Sequence, residues 1–189
     1  MCTDHQHGQR RCRCCDPEVR RATRRAAQLH ERGWEGEVGE EYASGTVEVR
    51  SRLARNSPVA TIDPSPTVRA ARARNGLLTD DEQSALADDE SRRVRAALAV
   101  NPTTTSEVLD SLSVDRDKRV REAVARHPHT DPETLYALST TLDRRRDLSV
   151  ARSISQNPAT PMEALETISA HGTDGQARLA RWTLRERGG

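Results

Sequence analysis

Residues 88–138 read DDESRRVRAALAVNPTTTSEVLDSLSVDRDKRVREAVARHPHTDPETLYAL, and one pattern is written there twice. The first copy holds Asp89, Val94-Arg95, Ala97-Leu98-Ala99, Asn101-Pro102, Thr104, Glu107, Leu109 and Leu112. The second holds Asp115, Val120-Arg121, Ala123-Val124-Ala125, His127-Pro128, Thr130, Glu133, Leu135 and Leu138. Val120 follows Val94, Glu133 follows Glu107 and Leu138 follows Leu112 by 26 residues each. Self-similarity at a fixed period of this size is the signature of a solenoid.

Each copy predicts two helices. Val94, Ala97, Leu98 and Asn101 fall at the i, i+3, i+4 and i+7 positions of one helical face. Asn-Pro then predicts a stop, because Asn tolerates a left-handed terminal residue and Pro cannot continue the ladder. Thr104 with Glu107, and Thr130 with Glu133, have the spacing of a capping box for the second helix. His127 stands where the first copy has Asn101 and reads as a substitute at the helix stop. The expected fold class is therefore all-α, a solenoid of paired helices with a period of about 26 residues.

The pattern extends both ways. Val49-Arg50, Leu53-Ala54 and Asn56 restate the first helix, as do Val68-Arg69, Ala71, Ala73 and Asn75. Asp63-Pro-Ser-Pro66 stands where the earlier of these units would have a second helix. Arg72 takes a position that is apolar in the clean copies, so that unit is degenerate. Val150, Ile154, Asn157-Pro158, Thr160, Glu163, Leu165 and Ile168 form a later copy, 30 residues after its counterparts. The four extra residues predict an exposed loop around residues 143–147. Ala177, Leu179-Ala180 and Trp182 predict a closing helix, with Trp182 over the end of the apolar stack.

Composition agrees with thin repeat layers. Hydrophobic residues make up 34% of the 189, aromatics 2%, and Phe is absent. That is too little for one deep core but enough for stacked layers of Ala, Val and Leu. The formal net charge of +1 gives no global pull toward nucleic acid or anionic membrane. No apolar run approaches the roughly 18 residues of a membrane helix, and residues 1–13 lack the apolar centre of a secretory signal. A cytoplasmic location, with reduced thiols, is expected.

All four cysteines, Cys2, Cys12, Cys14 and Cys15, lie in residues 1–16, with His5 and His7 between them. Thiolates and imidazoles bind zinc, and four thiolates can hold an iron–sulfur cluster. These cysteines are the candidate metal ligands, with His5 and His7 as additional ones; a redox-reactive thiol patch and a segment of idle cysteines are the alternatives. Residues 17–46 comprise a predicted helix and an acidic, Gly-rich connection. The array spans 47–182 and a polar tail 183–189.

The Val-Arg step, the Asn-Pro stop, the Thr-x-x-Glu second helix and the period resemble the leucine-rich repeat variant family, over roughly residues 47 to 182. The resemblance implies a right-handed superhelix of paired helices, the second short or 3₁₀-like. It also implies that the N-terminal cysteines hold a [4Fe-4S] cluster, as in some members; zinc is the alternative. The chain is similar to HEAT repeats in its pairs Asp63/Arg69, Asp89/Arg95 and Asp115/Arg121, each six residues apart. In that family such a pair forms an inter-repeat ladder.

Two readings of the recurring arginines (Arg50, Arg69, Arg95, Arg121) follow. As a structural ladder, each pairs with the Asp six residues earlier or with a neighbouring unit's Asp. As a cationic stripe, they track a phosphate backbone; scattered Trp and Tyr supply no stacking platform for that reading, which is the weaker one. There is no Gly-rich phosphate loop, no H-E-x-x-H and no catalytic set. The function expected is a non-enzymatic scaffold that binds another protein along an extended face. The alternatives are a metal- or redox-responsive regulator and a nucleic-acid binder.

Overall fold

The computed structural model describes residues 45–54, 58–75, 78–143 and 146–188. Among these residues there are ten α-helices, one 3₁₀ helix and no strand. In chain order they are α1 (Val47–Leu53), the 3₁₀ helix Pro58–Ile62, α2 (Pro66–Asn75), α3 (Asp80–Ala87), α4 (Arg92–Leu98), α5 (Ser106–Ser113), α6 (Lys118–Arg126), α7 (Pro132–Thr140), α8 (Leu148–Gln156), α9 (Met162–His171) and α10 (Asp174–Gly188).

These elements form two layers. Helices α1, α2, α4, α6, α8 and α10 pack in succession as the first layer. The 3₁₀ helix, α3, α5, α7 and α9 pack in succession as the second. Helix α10 packs on both α8 and α9 and so closes the stack. This is a helical solenoid of two-helix units. The second element is a 3₁₀ helix in the first unit and a short α-helix in the next four.

The periodic apolar positions become the core. Val68, Val94, Val120 and Val150 are fully buried at equivalent places in the first layer, above Leu98, Val124 and Ile154. The second layer contributes Leu86, Leu109, Leu135 and Leu165. Burying each such side chain stabilises by roughly 1.5–3 kcal/mol, and the spacing repeats it unit by unit. No deep centre forms, which is why a chain without Phe suffices.

Three local expectations are corrected. Thr104 and Thr130 are not N-caps. Their hydroxyls, and that of Thr160, are buried and donate to the carbonyls of Leu98, Val124 and Ile154 at 2.6–2.7 Å. Helix α5 is capped instead by Thr105, whose Oγ1 accepts from the backbone N–H of Val108. A complete capping box occurs at Thr79 and Glu82 in α3. The Asn stop does not use left-handed backbone either. His127 and Asn157 have φ of −69° and −73° in extended conformation. Their side chains turn inward, while the extended backbone each adopts ahead of Pro128 or Pro158 ends the helix.

The third correction concerns the end of the stack. Trp182 is 59% exposed; Ala177, Ala180 and Thr183 face inward in its place. Helix α10 also continues through the predicted tail to Gly188. Arg187 holds it there by donating to the carbonyls of Asn157 and Thr160 at 2.6 and 2.8 Å. The turn into α10 needs Gly172, where a Cβ would lie 2.5 Å from the carbonyl oxygen of Ile168.

Candidate functional site

The recurring arginines sit along one edge, where each unit's first helix meets the loop that enters the next. Arg50 pairs with Asp63 at 2.8 Å, Arg69 with Asp89 at 2.6 Å, Arg95 with Asp115 at 2.5 Å and Arg121 with Asp147 at 2.6 Å. Each carboxylate belongs to the following unit. The Asp six residues earlier is also used, but through its backbone: Arg69, Arg95 and Arg121 donate Nη1–H to the carbonyls of Asp63, Asp89 and Asp115 at 2.6–2.7 Å. Every arginine thus staples its own loop to the next. The carboxylates in turn accept from backbone N–H groups two residues on, at Ser65, Ser91 and Asp117.

The charges of the rungs are internally compensated. The hydrogen bonds that Arg95 donates to Asp115, and the charge of that carboxylate, raise the pKa of Arg95 above the ordinary guanidinium value, and Asp89 does the same to Arg69. Asp117 caps α6 by accepting from the N–H of Arg119, and it lies 3.2 Å from Arg92. The N–H and then the guanidinium hold its pKa below the usual carboxylate value.

A second, uncharged row runs through the interior. Asn101 donates to the carbonyl of Ala73 at 2.8 Å, and Asn157 to those of Ala125 and His127 at 2.9 and 3.0 Å. Between them, His127 Nε2 lies 2.9 Å from the carbonyl of Asn101, while its Nδ1 accepts from the N–H of His129 at 3.1 Å. Asn101 and Asn157 make the matching acceptor contacts to the N–H groups of Thr103 and Ala159. The neutral Nε2–H tautomer of imidazole therefore copies a carboxamide, one donor and one acceptor at opposite ends. Burial lowers the pKa of His127, against a smaller upward effect of the Asn101 carbonyl.

The degenerate unit has its own polar core. Arg72, apolar in the clean copies, is buried and pairs with Glu82 at 2.8 Å. Glu82 also accepts from the hydroxyl of Thr61 and the backbone N–H of Thr79.

Sorting the surface by layer uncovers what the net charge hides. Helices α2, α4 and α8 contain Arg but no Asp or Glu; α3, α5, α7 and α9 contain Asp or Glu but no Lys or Arg. The helices of the first layer are thus net positive, although α1, α6 and α10 also hold Glu48, Glu122, Asp174 and Glu186, and those of the second layer are net negative. Exposed cations of the first layer include Arg74, Arg93, Arg119 and Arg152; exposed acids of the second include Asp81, Glu107, Glu133 and Glu166.

An open groove of about 790 Å³ lies along the ladder edge, between the start of α6 and the loop at residues 141–147. Arg121 and Asp147 form its floor. Thr141, Asp143 and Arg146 also line it.

The cysteines Cys2, Cys12, Cys14 and Cys15, with His5 and His7, lie outside the described residues. Among the described residues, no group of three or more His, Cys, Asp or Glu is placed to hold a metal ion. No helix among them is long and apolar enough to cross a membrane.

The unit made by α6 and α7 has a recognisable relation. Residues 119–143 match the model of the leucine rich repeat variant family, so this unit is a repeat of that family. Its buried Thr and inward Asn or His recur in the units on either side, and its ladder arginine in the preceding unit as Arg95. The comparison with curated proteins gives no match, and neither does the comparison with solved structures.

Proposed function

We propose that the chain is a non-enzymatic repeat scaffold that holds another protein along its extended, charge-sorted surface. The observation that carries this reading is the segregation of basic and acidic residues onto separate layers. Neither fold nor ladder requires it: the rungs that bind unit to unit use Arg50, Arg69, Arg95 and Arg121, and the exposed charges outside them are available to a partner. Charge patterns of this kind steer encounter and select partners. The match of residues 119–143 to a repeat family supports it. Affinity capture from a lysate of the source organism, followed by cross-link mapping, tests the reading. A stoichiometric protein cross-linked to the first or second layer is expected; no retained protein would overturn it.

A second reading rests on Cys2, Cys12, Cys14 and Cys15, crowded into the first sixteen residues. In it the segment binds a metal, a [4Fe-4S] cluster or zinc, and the array is the output of a metal- or redox-responsive regulator. The nucleic-acid reading is weaker. Its four arginines are all engaged by carboxylates, so they offer no free cationic stripe to a phosphate backbone.

A further inference from the structure

We infer that the groove beside α6 is a docking site for an acidic protein segment that also carries apolar side chains. This deepens the scaffold reading and rests on it. Six basic residues line the groove, together with four aspartates. The aspartates are each engaged within the chain. Asp115 is held by Arg95, Asp147 by Arg121, and Asp117 by Arg92 and the N–H of Arg119. Asp143 accepts from the N–H of Arg146 at 3.0 Å. Arg116, Lys118 and Arg119, by contrast, are exposed and form no ion pair with a described carboxylate. The groove therefore presents uncompensated positive charge over a floor whose own charges are satisfied.

The apolar component singles out the class of partner. Val114, which lines the groove, is 80% exposed, the most exposed large hydrophobic residue among the described residues. Leu148, just beyond the floor residue Asp147, is half exposed as well. The lining contains no aromatic residue on which a base could stack. A peptide alternating carboxylates with aliphatic side chains meets both the cations and Val114.

The test uses the full chain and a fluorescein-labelled peptide of about a dozen residues rich in Glu and Leu, read by anisotropy. Its counterpart with Gln for every Glu and a labelled oligothymidylate serve as comparisons. Binding of the Glu peptide that weakens with added salt is expected. The triple variant Arg116→Glu/Lys118→Glu/Arg119→Glu should bind roughly tenfold or more weakly, having lost three exposed charge contacts. Acidic residues suit the first turn of a helix, so this variant should keep the wild-type melting curve. The control Arg74→Glu/Arg152→Glu/Arg178→Glu carries the same charge change elsewhere and should keep nearly wild-type affinity. Failure of the Glu peptide to bind, equal loss in the control, equal affinity for the Gln peptide or tighter binding of the oligothymidylate would each overturn the assignment. A lysate partner retained equally by wild type and the triple variant would overturn the groove and leave the scaffold reading standing.

Discussion

The Nε2 of His127 lies 2.9 Å from the carbonyl oxygen of Asn101 in the preceding unit, and its Nδ1 accepts from the N–H of His129. A protonated ring would lose the Nδ1 acceptor and bury a charge. Burial already holds the pKa below the ordinary imidazole value. The unfolded chain thus binds the proton more readily than the folded one. This contribution to stability is complete above about pH 6.5 and is lost as pH falls toward and through the folded pKa. Melting temperature measured from pH 8 to pH 5 should show that loss. In His127→Asn the loss should shrink while the fold persists, because Asn restores the donor and acceptor used at Asn101 and Asn157.

The rung Arg95–Asp115 is the most enclosed of the four, with both side chains under one-tenth exposed. Asp115→Ala leaves a buried guanidinium and should cost about 3–5 kcal/mol in urea unfolding. Arg152→Ala, on the exposed face, should change stability by no more than about 0.5 kcal/mol.

Thr130→Val removes the hydroxyl donor of the buried Val124 carbonyl, which still accepts from the N–H of His127, and should cost about 0.5–1.5 kcal/mol. Glu133→Ala should be close to neutral. A capping box at Thr130 and Glu133 would make both substitutions costly, so the pair of melting curves separates the two arrangements.

Arg72→Leu alone strands the Glu82 carboxylate beside an apolar wall and should destabilise. Arg72→Leu/Glu82→Gln removes both charges, keeps a polar group for Thr61 and Thr79, and should recover much of that loss. Unfolding curves of the single and double variants check this; a double variant no better than the single would contradict it.

Iron with acid-labile sulfide, or zinc, is expected in protein purified without oxygen, and serine at Cys2, Cys12, Cys14 and Cys15 should abolish it. Metal analysis and the visible spectrum of both proteins read the result. Unchanged metal content in the serine variant would remove the cysteine-rich segment as a site.

The paired helices and their apolar faces were legible because Val94 and Val120, or Leu112 and Leu138, repeat at one interval. The direction of the ladder was not. Asp89 stands six residues before Arg95 and Asp115 twenty after it, and both recur with the same period, so spacing cannot choose between them. Asp147 was missed as the partner of Arg121 because the longer loop displaces it. Thr104 was misread because its distance to Glu107 fits a capping box, while the carbonyl it reaches, that of Leu98, is visible only in three dimensions. The sorting of charge by layer was present in the sequence, but pooling all residues into a net charge of +1 concealed it. The groove depends on how far the loop at 141–147 stands from α6, which no motif records.

The rungs also fix the phase in which this array can grow or shrink. Each unit offers an arginine forward and a carboxylate backward, so an extra copy cut between equivalent points, such as a duplication of residues 92–117, would arrive with both ends matched. The rungs also survive a change in spacing, since Arg50 and Asp63 lie 13 residues apart, Arg95 and Asp115 20, and Arg121 and Asp147 26. Growth ends after Asp147, since Ala151 occupies the place of the next arginine and has nothing to extend forward. Duplication with matched rungs is therefore open upstream of α8, whereas Ala151 offers no guanidinium to the element that follows.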